Sequence, residues 1–479
     1  MKRTLLLICI ALTINAASFG QTTSALRIDG VMLKNGEQFF PVGYYAEGFH
    51  TLTENNYAAN TLSAAGFNMM FTEHDIQITS AEFSSFLDNC ASKGIYNMLS
   101  FWDPSTAIDD RMRSFIPTYK NKPSVLVWCI GDDASTLGSI DDVIRKDDLA
   151  KSLDANHLTY ESFNGAIRSS ITQVGQSAIQ AYPHFFTGDL MDGYGSWSSF
   201  VDIVNQCATN GKTPLANPQS YRWQTGAGFL YPTAAELDVQ SYMAIVAGMK
   251  GLFFYTFKDD GNSTINLTQT ALWDASVQAC TEIQTSLKDI LLNGDRTTVA
   301  NVNNDVYYAK WSCNQEEYVI AVNVDKVAHS VSIPVLGTTK NSLFAYRNNT
   351  LAINGSNLTG TLGKLDVQIY KITDVPADIE ASGIPTGLST SAVTTSSFKL
   401  SWTASTDNVK TVGYEVFKDS ISIGNTKTNS INITGLVCGT AGTYTVKAFD
   451  FDNNTSAASS VLEVTNILTI LKRQRKLWG

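Results

Sequence analysis

The chain has 479 residues, of which 44% are apolar and 16% charged. At about 150 residues per domain this allows one large and one or two small units, and the apolar share excludes wholesale disorder. Lys and Arg total 34 against 44 Asp and Glu, for a formal charge of −10. No basic surplus exists to displace counterions from a nucleic-acid backbone, so nucleic-acid partners are excluded.

Met1-Lys2-Arg3, the apolar run Thr4 to Leu12 and the small-residue exit Ala16-Ala17-Ser18-Phe19-Gly20 read as a secretory signal peptide over 1–20. The run is too short to span a bilayer, and no longer one follows, so no transmembrane segment is expected. The expected location is outside the cell, in the periplasm or at the cell surface. Beyond the leader, Cys90, Cys129, Cys207, Cys280, Cys313 and Cys438 are scattered without a C-x-x-C pair. Structural zinc and thioredoxin chemistry are therefore unsupported, and neither a metal site nor an organic cofactor is expected.

From 26 to 295 short apolar strands alternate with amphipathic runs. The strands are 39–44, 67–71, 95–101, 124–130, 157–163, 177–182, 214–220 and 251–257. Helical runs lie at 56–65, 80–92, 140–153, 197–209, 232–247 and 267–292, several of them stopped by Gly. Eight such units over this length fit a (β/α)8 TIM barrel. A doubly wound open sheet is the rival, but no Gly-rich dinucleotide fingerprint follows the first strand.

After the barrel the texture becomes β-branched, alternating and rich in turn residues. Residues 297–374 read as a small antiparallel β-sandwich, and 375–385 as a linker. In 386–466, Leu400-Ser401-Trp402, Gly413-Tyr414-Glu415-Val416, Ile433-Thr434-Gly435-Leu436 and Tyr444-Thr445-Val446-Lys447-Ala448 resemble a bacterial fibronectin type III module. That resemblance implies an immunoglobulin-like sandwich with Trp402 in its core and Tyr444 as its corner tyrosine. The tail, 467–479, is basic and reads either as a disordered end or as the stub of an interrupted reading frame.

A TIM barrel carries its active site at the C-terminal ends of its strands. There the sequence places Tyr44, Tyr45, Glu47 and His50 after the first strand, then Glu73, Trp102, Asp132-Asp133, Glu161, Tyr182, Gln219, Trp223, Tyr255 and Asp259. Carboxylates with aromatics suit glycoside hydrolysis, which needs a protonated acid at the leaving oxygen and a second carboxylate. Glu73-His74-Asp75 is not read as a metal site, because adjacent strand residues point to opposite faces.

Leu26-Arg27-Ile28-Asp29-Gly30, Asn35 to Gly43, Ala64-Ala65-Gly66-Phe67-Asn68, Lys122 to Asp133, Gln219 to Trp223 and Gly248 to Tyr255 resemble secreted bacterial glycoside-hydrolase-like barrels. The resemblance implies a carbohydrate substrate, with a general-acid role for Asp133, whose proton affinity Asp132 raises. In the retaining clan with this barrel a Glu acid/base ends the fourth strand and a Glu nucleophile ends the seventh. Here Asp133 stands at the first of these positions and the neutral Gln219 at the second. Glu161, Glu73 and Asp259 are the candidates for the second carboxylate. Tyr44, Glu73, Trp102, Tyr182, Gln219, Trp223, Tyr255 and Asp259 are the expected substrate contacts, with Asp133, Asp132 and Glu161 as the catalytic set. The alternative is a non-catalytic carbohydrate-binding or surface-adhesion protein on a degenerate barrel, associated with the cell surface through its C-terminal modules. A barrel hydrolase with a non-sugar substrate ranks lower, since no Gly-x-Ser-x-Gly nucleophile elbow occurs.

Overall fold

The computed structural model describes residues 21–465 apart from 28, 74–78, 102–106, 134–139, 165–166, 182–196, 223–229, 260–262, 298, 303–304, 314, 342–346, 348, 376–377, 409–410, 427, 438 and 451–453. The leader, the basic tail and the candidate side chains Trp102, Tyr182 and Trp223 lie outside the described residues.

Eight parallel strands close into a barrel: β4 (Val42–Tyr45), β5 (Met69–Glu73), β6 (Tyr96–Ser100), β7 (Val125–Gly131), β8 (Leu158–Phe163), β9 (Gln176–Ala181), β10 (Thr213–Pro218) and β11 (Leu252–Phe254), which returns to β4. The helices are α1 (Leu52–Ala64), α2 (Ser80–Lys93), α3 (Ala107–Tyr119), α4 (Ile140–Leu153), α5 (Trp197–Asn210), α6 (Ala234–Ala247), α7 (Ile265–Thr268), α8 (Thr270–Glu282) and α9 (Lys288–Asn293). Three helices begin in capping boxes, Thr51 with Glu54, Thr79 with Glu82 and Thr233 with Glu236. In each, the Thr hydroxyl and the Glu carboxylate satisfy amide donors that the helix itself leaves open.

Three elements differ from the sequence expectation. The stretch 39–44 is not one strand. β1 (Ser24–Leu26), β2 (Met32–Lys34) and β3 (Glu37–Phe39) form a separate antiparallel sheet, and the barrel strand starts only at Val42. Pro41 separates the two, having no N–H to offer a ladder. Helix α3 has no counterpart in the sequence reading, because Asp109-Asp110-Arg111 and Pro117 mask it. Its signal is Ile108, Met112, Ile116 and Tyr119, all buried and at helical spacing. The run 267–292 is broken by a π-helical turn at Ile283–Leu287.

The small sheet closes the bottom of the barrel. Met32 and Phe39 join the interior cluster, and Ser24 Oγ donates to Leu126 O and accepts from Leu158 N, both at 2.7 Å. Above this plug, Met69, Met98, Leu126, Val127, Leu215 and Phe253 fill the barrel. A polar-aromatic layer follows. Tyr45 stacks on Phe71 at 4.1 Å, the Tyr45 and Tyr160 hydroxyls lie 2.8 Å apart, and Asn217 Nδ2 donates to Tyr45 Oη at 3.0 Å. The barrel is therefore a packed core, and only its upper end can receive a ligand.

Beyond the barrel, one antiparallel sheet orders Asp295–Arg296, Val306–Cys313, Glu316–Asn323, Asp366–Thr373 and Thr339–Asn341, with Ala300–Val302 beside Val306–Cys313. A second sheet orders His329–Pro334, Asn357–Leu362 and Ala352–Asn354, and Val319, Ile333, Leu358 and Tyr370 pack in the cluster these segments share. Trp311, Ile320, Val322 and Ile369 belong to the same hydrophobic cluster as the outer helices of the barrel. Arg347 pins this junction. Its guanidinium bonds Asp238 of α6 at 2.5 Å and Glu282 of α8 at 2.5 Å, and lies 4.4 Å from the centre of the Tyr242 ring. Farther along the chain, two more antiparallel sheets pack around Phe398, Leu400, Trp402, Tyr414 and Tyr444. Cys90, Cys129, Cys207 and Cys280 are free and buried. No helix among the described residues is long and apolar enough to cross a membrane.

The side chains of Arg347 and Glu282 are 3% and 4% exposed, so removing the cation leaves a carboxylate buried without its charge partner. Arg347→Ala is expected to lower the unfolding free energy by about 3–5 kcal/mol, read by urea denaturation, whereas an exposed pair such as Lys122–Asp88 should contribute less than about 1 kcal/mol.

Candidate active site

Side chains alternate between the barrel interior and the helical layer along each strand. In β4 the interior residue is Tyr45, while Tyr44 points outward. Tyr44 packs on Phe67, Phe254 and Trp273 and donates its hydroxyl to Ser276 Oγ at 2.7 Å. The expectation that Tyr44 contacts substrate is thus corrected: it is a core residue between barrel and α8. In β8, Tyr160 and Ser162 face inward, so Glu161 faces outward. Ser177 Oγ donates to Glu161 Oε1 at 3.4 Å in the strand–helix layer, and burial pushes the Glu161 carboxyl up to about 7. Glu161 is fully buried and opens on the wrong side of the sheet for catalysis, which corrects its assignment to the catalytic set.

The same alternation carries Glu47, two residues beyond Tyr45, to the mouth. Glu47, Gly48, Glu73, Tyr221, Arg222, Tyr255, Thr256, Lys258 and Asp259 line an open cleft of about 420 Å³. Gly48 sits at φ 72°, a conformation that favours glycine. From there its N–H donates to Glu73 Oε2 at 3.0 Å, and its carbonyl accepts from Lys258 Nζ. Tyr255 packs edge-on against Tyr221 at 4.8 Å and against Tyr45 at 5.2 Å, giving the cleft an aromatic wall. Asp259 accepts from the Tyr231 and Thr268 hydroxyls. Gln219 is fully buried and donates to Tyr221 O at 2.9 Å, so it braces the loop that carries Tyr221.

Asp132 and Asp133 follow β7, where the pairing with β8 shifts register between Cys129 and Gly131. Such an irregularity re-aims the residues after it. Asp132 Oδ1 accepts from Ser162 Oγ and from Gln180 Nε2, the latter at 3.3 Å. Asp133 adopts φ 49°, uncommon for a residue with a side chain and frequent at functional sites.

Electrostatics ties these groups together. Burial, and then the Asp133 charge, raise the proton affinity of Asp132. Burial also raises that of Asp133, against a bond from Gln180. Glu47 is pushed up to about 8, first by burial and then by Asp132, with Glu73 and Asp133 adding to the repulsion and a bond to Tyr255 opposing it. Glu47, Glu73, Asp132 and Asp133 therefore form one interacting set. The sequence places all four at strand ends; Glu47, unlike the other three, is in neither the expected catalytic set, its candidate second carboxylates, nor the expected substrate contacts. Among the described residues, the groups of acidic and histidine side chains close enough to share a cation, Asp305–Asp325–His329 and Asp378–Asp407–Asp450, lie after the barrel.

No family model matches the chain. Among solved structures, a glycoside hydrolase superposes with a TM-score of 0.55 at 14% identity, covering 75% of this chain and 98% of that one. A glycoside hydrolase family 5 protein from Bacteroides vulgatus superposes with 0.56 at 15% identity, covering 74% and 93%. At these identities the likeness defines the fold: a parallel eight-stranded barrel with appended antiparallel sheets, as found in glycoside hydrolases. Among curated proteins, exoglucanase B of Cellulomonas fimi is 44% identical over 92 residues, which is 19% of this chain and 8% of that protein. Chitinase A1 of Niallia circulans is 29% identical over 286 residues, 56% of this chain and 40% of that protein. The chain thus spans less than half the length of either relative.

The outward position of Glu161 has a measurable consequence. Its folded-state pKa of about 7 lies above the ordinary carboxyl value of 4.5. Stability is therefore lost as pH rises from about 4.5 to about 7 and stays reduced above that. Glu161→Gln should raise stability at pH 8 by roughly 1–3 kcal/mol, leave it unchanged near pH 4, and leave any turnover intact. Thermal denaturation at the two pH values, with an activity assay, checks all three.

Proposed function

We propose that the chain is a secreted glycoside hydrolase that cleaves oligo- or polysaccharide at the barrel mouth by paired-carboxyl catalysis, with Asp133 in the catalytic pair. The observation that carries this reading is an aromatic-walled cleft lined by Glu47 and Glu73, with Asp132 and Asp133 electrostatically coupled to Glu47 and proton affinities raised at Glu47, Asp132 and Asp133. Glycosidic cleavage needs one carboxyl that holds its proton near neutral pH and one that does not. Tyr255 and Tyr221 offer faces for the apolar side of a sugar ring. The relatives named above, an exoglucanase and a chitinase, make β-linked glucans and chitin the first substrates to try.

The remaining modules fit the same reading. We assign 1–20 to export, 26–295 to the barrel, 297–374 to a β-sandwich and 386–466 to a fibronectin type III module. Seven strands in two sheets, around Trp402 and with Tyr444 in a late strand, support that last assignment. Such a module suits a spacer that holds the barrel near a solid polysaccharide or a cell surface.

A second reading, a carbohydrate-binding protein without turnover, is favoured by one feature. Gln219 stands where the retaining clan has its nucleophile, and its buried side-chain amide donates to Tyr221 O. Incubation with chitin, cello- and malto-oligosaccharides, followed by reducing-end release, separates the two. Turnover that falls by about 10²–10⁴-fold in Asp133→Asn supports the hydrolase. Binding of an oligosaccharide with no release by the wild type would leave the binding protein.

A further inference from the structure

Within the hydrolase reading, on which this inference rests, the division of labour among the mouth carboxyls is still open. Three structural facts single out Glu47. It lines the cleft, as neither Asp132 nor Asp133 does among the residues that bound it. It bonds Tyr255, a residue of the aromatic wall. It follows the first barrel strand, whereas the acidic pair follows β7, three strands along the barrel.

We propose that Glu47 is the catalytic acid of the site and Asp133 its carboxylate partner. Glu47 releases its proton to the glycosidic oxygen as the bond from that oxygen to the anomeric carbon breaks. The water that adds to the anomeric carbon loses a proton to Asp133. One glycoside and one water thus become a hemiacetal and an alcohol, and the proton returns from Asp133 to Glu47 before the next cycle. Asp132 is a positioning residue. Held by Ser162 and Gln180, it lies beside Asp133, and any charge it carries raises the proton affinity of Glu47.

The charge distribution around Glu47 agrees with this order. Asp132, Asp133 and Glu73 all disfavour its ionisation, and Tyr255 bonds it. Of the other charged groups lining the cleft, Lys258 donates to the carbonyl of Gly48, next in the chain to Glu47, Arg222 lies over the Tyr231 ring at 5.2 Å, and Asp259 accepts from two hydroxyls. Glu47 is pushed up to about 8 and so keeps its proton near neutral pH. Burial raises the proton affinity of Asp133 too, but a bond from Gln180 favours its charged form. A carboxyl that keeps its proton, set beside one whose anion is hydrogen-bonded, makes an acid and a base.

The test uses Glu47→Gln and Asp133→Asn in the full chain, on two glycosides of the sugar that the reducing-end assay selects. One carries a 2,4-dinitrophenyl leaving group, which departs without protonation, and the other an unactivated sugar. If Glu47 is the acid, Glu47→Gln loses at least about 100-fold on the unactivated glycoside and under about tenfold on the dinitrophenyl one. The alkaline limb of its kcat/KM profile, near pH 8 in the wild type, disappears. Asp133→Asn should lose activity on both. Equal losses on the two substrates in Glu47→Gln, or an unmoved alkaline limb, would overturn the assignment while leaving the hydrolase reading in place. Infrared difference spectra supply a readout independent of turnover, in which the wild type at pH 7 should carry one protonated carboxyl band more than Glu47→Gln, where Glu161 and Asp132 keep their own. Turnover without that band sinks the role of Glu47 alone. The band without turnover of any glycan sinks the hydrolase reading and, with it, this role.

Discussion

Crowding of carboxyl groups in a poorly solvated mouth is the constraint on which the upper half of this barrel depends. Each buried carboxyl favours its proton, and each ionised neighbour strengthens that preference. Burial and mutual repulsion favour the protonated forms of Glu47, Asp132 and Asp133. The surrounding residues distribute the charge. Ser162 and Gln180 donate to Asp132, and the Gly48 amide donates to Glu73. Tyr255 bonds Glu47 and walls the cleft.

Such crowding costs stability, and the rest of the fold offsets it. The interior below the mouth is closed by the Tyr45–Phe71 stack and the Tyr45–Tyr160–Asn217 contacts. From beneath, the small sheet seals the bottom with Met32 and Phe39. From the side, Arg347 joins α6 and α8 to the following sheet through two carboxylates and an aromatic face. A site kept in an electrostatically unfavourable state rests on rigid supports, as a pre-organised active site requires.

Much of the fold was legible in the amino-acid sequence, because eight apolar runs, each bounded by turn residues, have few other ways to bury themselves. The site was legible only in part. Glu47 stood among the residues after the first strand, but no local pattern set it above its neighbours. Tyr44 was expected at the substrate, yet it lies on the outer face of β4, packed on Phe67, Phe254 and Trp273. Glu161 failed for the same kind of reason, since both of its neighbours, Tyr160 and Ser162, point inward. Helix α3 was lost to Pro117 and three charged residues, although Ile108, Met112, Ile116 and Tyr119 kept helical spacing. The electrostatic coupling of Glu47 to Asp132 and Asp133 joins strands far apart in sequence, so no local pattern reveals it.

A structure of the Glu47→Gln variant with a chitin or cello-oligosaccharide bound tests the central claim most directly. The account predicts a glycosidic oxygen within about 3 Å of the residue 47 side chain, a sugar ring against Tyr255, and Asp133 on the opposite side of the anomeric carbon. An oligosaccharide seated elsewhere on the molecule, with the mouth carboxyls out of reach of any glycosidic bond, would contradict it.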